Sequence, residues 1–284
     1  MDINWYPGHM TSARRKMEQD IKLCDVIIEI LDARIPISSK NPDIDNLVGD
    51  RKRLVILNKA DLADGCITDA WIEYYNKAGI KVLAMDCRNR KQTLKVNEAV
   101  KEVCKEKIER DRRRGIHNRA IKAMIVGIPN VGKSTFINSF VGKVSAKTGN
   151  KPGVTKGNQW IRLSKDMNLL DTPGILWPKF EDPQTGMKLA FIGSINDNIL
   201  NLTELSQNLI SYLKDNYCNI LQGRYMIDEA RTDAEILYDI AVNKKCLLKG
   251  GEPDVERAAG ILLDDLRSGR LGRISLEKPV SKNE

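Results

Sequence analysis

The chain has 284 residues, of which 42% are hydrophobic and 30% are charged, and its formal net charge is +8. This length accommodates one large domain and one smaller domain, and the composition is typical of a soluble globular protein. No run of residues approaches the roughly 18 apolar residues that a membrane span requires.

The cysteine and histidine content excludes further classes of protein. The six cysteines are scattered without a C-x-x-C pair, and the two histidines, His9 and His117, are too few for a typical transition-metal site. The N-terminus lacks the basic and apolar segments of a secretory signal, so we expect a cytoplasmic protein with reduced thiols. The positive charge suits a polyanionic partner, although mild basicity is more often a matter of solubility.

Over the first 180 residues, short runs rich in isoleucine, valine and leucine alternate with longer helical patterns. The predicted strands are 25–33, 53–58, 80–86, 120–127, 158–163 and 166–171. The predicted helices are 11–23, 68–78, 93–113 and 133–141. Because strands buried on both faces and separated by helices form parallel sheets, residues 1–180 are predicted to be an α/β domain with a mostly parallel sheet flanked by helices.

The pattern changes to all-helical after residue 180. Leucines at helical spacing occupy 198–221, a capping box from Thr232 to Glu235 begins a second helix, and Pro253 begins a third. Residues 181–284 are therefore predicted to be a small helical domain. Residues 275–284 have the composition of a frayed tail.

The stretch "NKAD" at the end of the second predicted strand has the composition of a guanine-binding loop. Asp61 can accept hydrogen bonds from both N1–H and the 2-amino group of guanine, which adenine cannot offer. Asn58 is expected to support this pocket, and the stem of Lys59, next to Ala60, can pack along the base plane. In isolation the tetrapeptide is also compatible with a polar strand exit.

A second loop, "MDCRN" (85–89), ends the third predicted strand. Its backbone N–H groups, at Asp86 and Cys87, are expected to bind the guanine O6. Arg88 is a further candidate donor.

The stretch "GIPNVGKS" (127–134) fits the pattern G-x-x-x-x-G-K-[ST] between a predicted strand and a predicted helix. Its glycines permit a tight loop whose N–H groups face phosphate oxygens, and Lys133 is expected to reach the β- and γ-phosphates as a catalytic group. A structural glycine turn is the alternative. The predicted nucleotide-binding residues of this loop are Asn130, Val131, Gly132, Lys133, Ser134 and Thr135.

Three side chains are predicted to bind Mg²⁺ through oxygen. They are Ser134, the mobile-loop hydroxyl of Thr155 in "KPGVTKG", and Asp171 in "DTPG", which follows a strand. Thr155 would also close on the γ-phosphate, to which the Gly174 amide would bind. Taken alone, "DTPG" is equally a common turn.

The motif order identifies the chain as a relative of known proteins. The base-binding loops precede the phosphate loop, which reverses the order of ordinary guanine-nucleotide switches, and this resembles the circularly permuted GTPases. The stretches "NWYPGHM" (4–10) and "DARIP" (32–36) narrow the resemblance to the ribosome biogenesis GTPase A family. The resemblance implies a cytoplasmic, Mg²⁺-dependent enzyme that cycles between GTP and GDP. It also implies that the protein acts in late assembly of the large ribosomal subunit and that ribosomal RNA is its partner. DNA binding is not expected, and the free protein is expected to be a monomer.

Two positions bear on hydrolysis. Ile175 stands where switch GTPases carry a water-orienting glutamine, so intrinsic hydrolysis should be slow. The resemblance points to His9 as the residue that orients water, although a lone histidine is more often structural. Asn130 resembles that of potassium-stimulated GTPases, and loop capping is an equal alternative.

Permutation places the segment after "DTPG" directly before the helical domain. Loss of the γ-phosphate is therefore expected to change the conformation of that domain.

A run of basic residues surrounds the mobile loop, where RNA could contact it, although charge runs are usually solvated faces. The run is Lys143, Lys147, Lys151, Lys156, Arg162 and Lys165. The competing hypotheses are a non-catalytic GTP-sensing RNA-binding module and, more distantly, a nucleotide kinase.

Overall fold

The computed structural model of the protein describes residues 15, 17–49, 51–117, 119–142, 159–172 and 182–279. Among these, residues 184–274 form one compact unit, and the remaining residues, including those after 274, form the other. The boundary expected between residues 180 and 181 lies outside the described residues.

The first unit contains a sheet of six strands within the described residues, in the spatial order β3-β2-β1-β4-β6-β5. The strands are β1 (Val26–Asp32), β2 (Lys52–Asn58), β3 (Lys81–Met85), β4 (Ile121–Val126), β5 (Gln159–Arg162) and β6 (Met167–Asp171). Every neighbouring pair is parallel except β5 and β6. The predicted mostly parallel sheet is therefore confirmed.

The order of the strands defines where a ligand can bind. The chain runs from β1 outward to β2 and β3, and from β4 outward in the opposite direction to β6 and β5. In open parallel sheets, ligands bind beyond the carboxyl ends of the strands at such a reversal point. Both base-binding motifs, the phosphate loop and Asp171 follow or end strands at this edge.

The apolar composition of the strands explains the core. All seven residues of β1 are buried, because helices cover a central strand of a parallel sheet on both faces. Leu31, Val55 and Leu57 pack with Trp71 and Tyr75 of a flanking helix.

Residues 15 and 17–21 of this unit are helical, within the helix predicted over 11–23. Five further helices of its described residues are α1 (Asp43–Val48), α2 (Gly65–Lys77), α3 (Arg90–Val103), α4 (Lys105–Arg113) and α5 (Lys133–Val141). Asp64 caps α2 and Asn89 caps α3, because each side chain accepts a backbone N–H of the first turn. The single helix predicted over 93–113 is wrong, since it is divided at Cys104. The apolar face of α3 ends there, and Asp111 is the one buried residue of α4.

The second unit consists of α6 (Pro183–Phe191), α7 (Leu202–Asn216), α8 (Ile220–Tyr225), α9 (Asp233–Asn243) and α10 (Val255–Ser268). The predicted capping box at Thr232 and Glu235 is present. The leucines predicted at helical spacing over 198–221 lie in two helices, because α7 ends at Asn216 and α8 begins after Asn219, which takes a left-handed conformation with φ 62°.

The prediction of a frayed C-terminal tail is wrong for the residues that immediately follow the second unit. The Glu277 carboxylate accepts the N–H groups of Ile37 at 2.8 Å and Ser38 at 3.2 Å, together with the Ser38 hydroxyl. The Nε1–H of the buried Trp71 donates to the Glu277 carbonyl at 3.2 Å. This carboxylate binds a largely buried backbone turn as an N-cap does.

The two preceding residues continue this attachment. The Ser275 hydroxyl accepts the N–H of Asp64 at 3.1 Å, and the Leu276 N–H donates to the carbonyl of Arg34 at 2.8 Å. Both residues are buried. The tail therefore contacts the segments that follow β1 and β2.

Candidate active site

The phosphate loop has backbone conformations that its sequence requires. Gly127 has φ 151°, and a Cβ there would lie 2.5 Å from the carbonyl oxygen of Ile30. Gly132 has φ 100°, and its Cβ would collide with the Asn58 amide. Asn130 also has positive φ, at 63°. The loop therefore follows β4 and begins α5 in the predicted manner, and the two glycines allow its close approach to neighbouring strands.

Lys133 lies inside this loop and is buried. Its ammonium donates to the carbonyl oxygens of Gly127 at 2.9 Å and Ile128 at 2.8 Å. Burial lowers the pKa of Lys133 to about 8, while the charge of Asp171 acts in the opposite direction. A buried cation enclosed by a glycine-rich loop at a helix N-terminus suits phosphate oxygens.

Asn58 connects three motifs that are far apart in sequence. Its Nδ2 donates to the carbonyl of Val131 at 2.6 Å, and its Oδ1 accepts the N–H of Cys87 at 2.9 Å. The side chain is buried. Asn58 is expected to support the pocket, and these two hydrogen bonds show how it can do so. Its amide joins the "NKAD" loop to the phosphate loop and to the loop after β3.

Lys59 contacts a buried ion cluster that sequence reasoning did not place in the site. Its Nζ lies 3.0 Å from Asp32 Oδ2, and the guanidinium of Arg34 donates to both Asp32 oxygens at 2.9 and 2.8 Å. Burial acts to raise the pKa of Asp32, but the charges of Arg34 and Lys59 outweigh it and hold that pKa well below its usual range. The "DARIP" stretch therefore orients Lys59, the lysine that is predicted to pack along the base.

Asp61 and Asp86 lie close together, because one guanidinium contacts both. Arg88 Nη2 donates to Asp61 Oδ2 at 2.6 Å, and Arg88 Nε donates to Asp86 Oδ1 at 2.9 Å. The structure therefore brings the two base-binding loops together, as the motif assignment expects.

The backbone amides predicted to bind guanine O6 have acceptors within the protein. The Asp86 N–H donates to Gln92 Oε1 at 2.8 Å, and the Cys87 N–H donates to Asn58. An O6 contact would require one of these bonds to be exchanged, and it stays a prediction.

The expected Mg²⁺ ligands that are described lie at the start of a helix and at the end of a strand. Ser134 is in the first turn of α5, and Asp171 is the fully buried last residue of β6. The Thr172 hydroxyl donates to the carbonyl of Ile125 at 2.6 Å and fixes the turn against β4. Hydroxyl and carboxylate oxygens are the hard ligands that Mg²⁺ prefers, so this donor set fits the ion. The part of the chain that is described contains no cluster of three histidine, cysteine or acidic side chains for a metal.

The comparisons with known proteins agree with this geometry. A family model described as "50S ribosome-binding GTPase" matches residues 122–243. A ribosome biogenesis GTPase A from Bacillus cereus is 45% identical over 285 residues, covering 100% of this chain and 96% of the relative. One from Thermotoga maritima is 31% identical, covering 98% and 95%. The chain belongs to the ribosome biogenesis GTPase A family.

Two solved structures share the fold. GDP-bound YlqF matches with a TM-score of 0.67 and 27% identity, covering 93% of this chain and 99% of that one. GNP-bound YlqF from T. maritima matches with a TM-score of 0.65 and 27% identity, covering 94% and 98%. The predicted permuted GTPase fold and the family resemblance are confirmed. As a member of this family the chain is a GTP-hydrolysing enzyme, so the hypothesis of a non-catalytic module is not supported.

Several predicted site residues lie outside the described part of the chain. They are His9, Thr155, Gly174 and Ile175. Within the described ranges, no helix has both the length and the apolar content to cross a membrane.

Proposed function

We propose that the chain is a GTP-driven switch in late assembly of the large ribosomal subunit, which binds ribosomal RNA in its GTP state and leaves after hydrolysis. The observation that carries the guanine-nucleotide site is the Asn58 bridge, because it joins the base-binding and phosphate-binding motifs. The family descriptions supply the ribosomal role. We further propose a cytoplasmic protein that is monomeric when free and binds neither membrane nor DNA.

The residues divide the work by chemistry. Asp61 selects the base, while Lys133, the loop N–H groups and the α5 N-terminus bind phosphates. Ser134, Asp171 and Thr155 would hold Mg²⁺, whose charge would neutralise the phosphates. Potassium stimulation through Asn130 stays a prediction. After Asp171 and Thr172 the chain continues to the helical unit, so loss of γ-phosphate would act on that unit directly.

An exposed surface of the sheet at β4 and β5 suits RNA. Trp160 of β5 is 46% exposed, and Lys122 Nζ lies 5.8 Å from its ring centroid. Lys122 and Arg162 both pair with Asn168 of β6, so their side chains share one face, and Trp160 is two residues from Arg162 on the same face. An exposed aromatic ring between cations stacks bases and contacts phosphates.

We expect Trp160→Ala to weaken GTP-dependent binding to large ribosomal subunits by about tenfold, the value of one lost base stack. Replacing Lys122 and Arg162 by alanine should reduce the slope of log K against log salt concentration by about 1.5 in magnitude, because two phosphate contacts are lost. Co-sedimentation at several salt concentrations measures both effects. Leu94→Ala is the control, since Leu94 is 45% exposed on α3. Equal co-sedimentation with GTP, GDP and no nucleotide would remove the switch proposal.

A further prediction concerns the water-orienting group. His9→Ala should retain GTP and subunit binding but lose roughly 100-fold or more of the subunit-stimulated hydrolysis, a typical effect of removing a general base or its equivalent. The slow intrinsic rate should change little. Phosphate release with and without large subunits measures this, and a stimulated rate equal to that of the parent would return His9 to a structural role.

A further inference from the structure

The side chain of Arg88 pairs with one oxygen of Asp61, the carboxylate that is proposed to bind guanine. Its Nη2 lies 2.6 Å from Asp61 Oδ2, while its Nε lies 2.9 Å from Asp86 Oδ1. Its own backbone N–H also donates to Asp86 Oδ1 at 2.9 Å. Arg88 is therefore held by Asp86 in two ways and by Asp61 in one.

The two oxygens of Asp61 differ in their surroundings. Oδ2 accepts the Arg88 guanidinium, whereas Oδ1 is buried and has no hydrogen-bond partner among the described residues. Guanine offers two donors, N1–H and the 2-amino group, and needs both oxygens. Hypoxanthine offers N1–H alone and can use Oδ1 without disturbing Arg88.

We propose that Arg88 is a specificity-determining residue that competes with the guanine 2-amino group for Asp61 Oδ2. Asp86 retains the guanidinium when guanine displaces it. The proposal rests on the proposed function of Asp61 as the base-binding residue. Arg88 thereby reduces the preference for guanine over hypoxanthine below the value that Asp61 alone would confer.

The exposure of the pair sets the size of the effect. Arg88 is 66% exposed and Asp61 is 31% exposed, so solvent screens their attraction. An ion pair of this kind corresponds to about a two- to fivefold change in affinity. The displacement is therefore compatible with tight binding of GDP.

A purely structural role for Arg88 leads to the opposite result. If its main effect were to hold the two base-binding loops together, its removal would loosen the pocket and weaken nucleotide binding. The direction of the change therefore separates competition from support.

The test compares the dissociation constants of GDP and inosine diphosphate, measured by calorimetry, for Arg88→Ala and for Lys91→Ala. The control removes the same charge from an exposed position of the same segment. Relative to that control, Arg88→Ala should tighten GDP binding about two- to fivefold and leave inosine diphosphate unchanged. Unchanged or weaker GDP binding, or equal tightening of both ligands, would overturn the proposal.

A second variant tests the role of Asp86. Asp86→Asn should weaken GDP binding when Arg88 is present, because the guanidinium loses its charged partner at Asp86 and then pairs more strongly with Asp61. In the Arg88→Ala background the same substitution should have a clearly smaller effect. Equal effects in both backgrounds would contradict it. If ADP binds the parent protein as well as GDP, the base-binding assignment itself fails; GDP selectivity without an Arg88 effect removes this inference alone.

Discussion

Asp61→Asn is expected to lower GTP affinity by roughly 100-fold and to admit xanthosine triphosphate in its place. The carboxylate accepts two hydrogen bonds from guanine, and each charged bond contributes about 1.5–3 kcal/mol. The amide offers one acceptor and one donor, which matches the N1–H and the 2-oxo group of xanthine. Competition binding of GTP, xanthosine triphosphate and ATP measures the change.

Asp64→Asn provides a matched control for this experiment. Asp64 lies in the same segment and caps α2 through its side-chain oxygen, which an asparagine also supplies. The control should bind GTP as the parent does. If ATP competes as well as GTP against the parent protein, Asp61 does not select the base.

Glu277→Ala is expected to lower the free energy of unfolding of the first unit by about 3 kcal/mol. Its carboxylate is the acceptor for the N–H groups of Ile37 and Ser38 and for the Ser38 hydroxyl, at a site where Glu277 is 8% exposed. Each buried donor without an acceptor costs about 1–3 kcal/mol. The corresponding fall in melting temperature is about 6–12 °C, measured by calorimetry.

Lys278→Ala is the control, because Lys278 is the exposed neighbour. Glu277→Gln should lie between the two, since the amide oxygen can accept one of these bonds. If Glu277→Ala has the same melting temperature as Lys278→Ala, the Glu277 contacts with the turn at Ile37 and Ser38 do not contribute to stability.

The local motifs were predictable because each requires particular residues at short spacing. Gly127 and Gly132 are needed where a Cβ would collide, and Lys133 follows them in every loop of this pattern. The apolar runs of β1 and β2 likewise predict strands buried on both faces. The permutation was also predictable, because the base-binding motifs precede the phosphate loop along the chain.

Helix boundaries and short helices were less predictable. No glycine or proline marks the division at Cys104. Asn219 is a residue type that adopts the left-handed conformation, but composition does not say which asparagine will do so. The short helix α1 and the helix α6 were also missed. Six and nine residues respectively show little periodicity of their own.

The sequence by itself determined the strands, the phosphate loop and the family, and it singled out the tetrapeptide that is proposed to bind guanine, because backbone sterics and short motif spacing are local properties. Only the tertiary structure decided which distant groups meet. Asn58 joins Val131 to Cys87, Arg88 contacts Asp61, and Glu277 binds the turn at Ile37. Such contacts join residues up to 240 positions apart, and their hydrogen bonds form only after the sheet has brought the strand ends together.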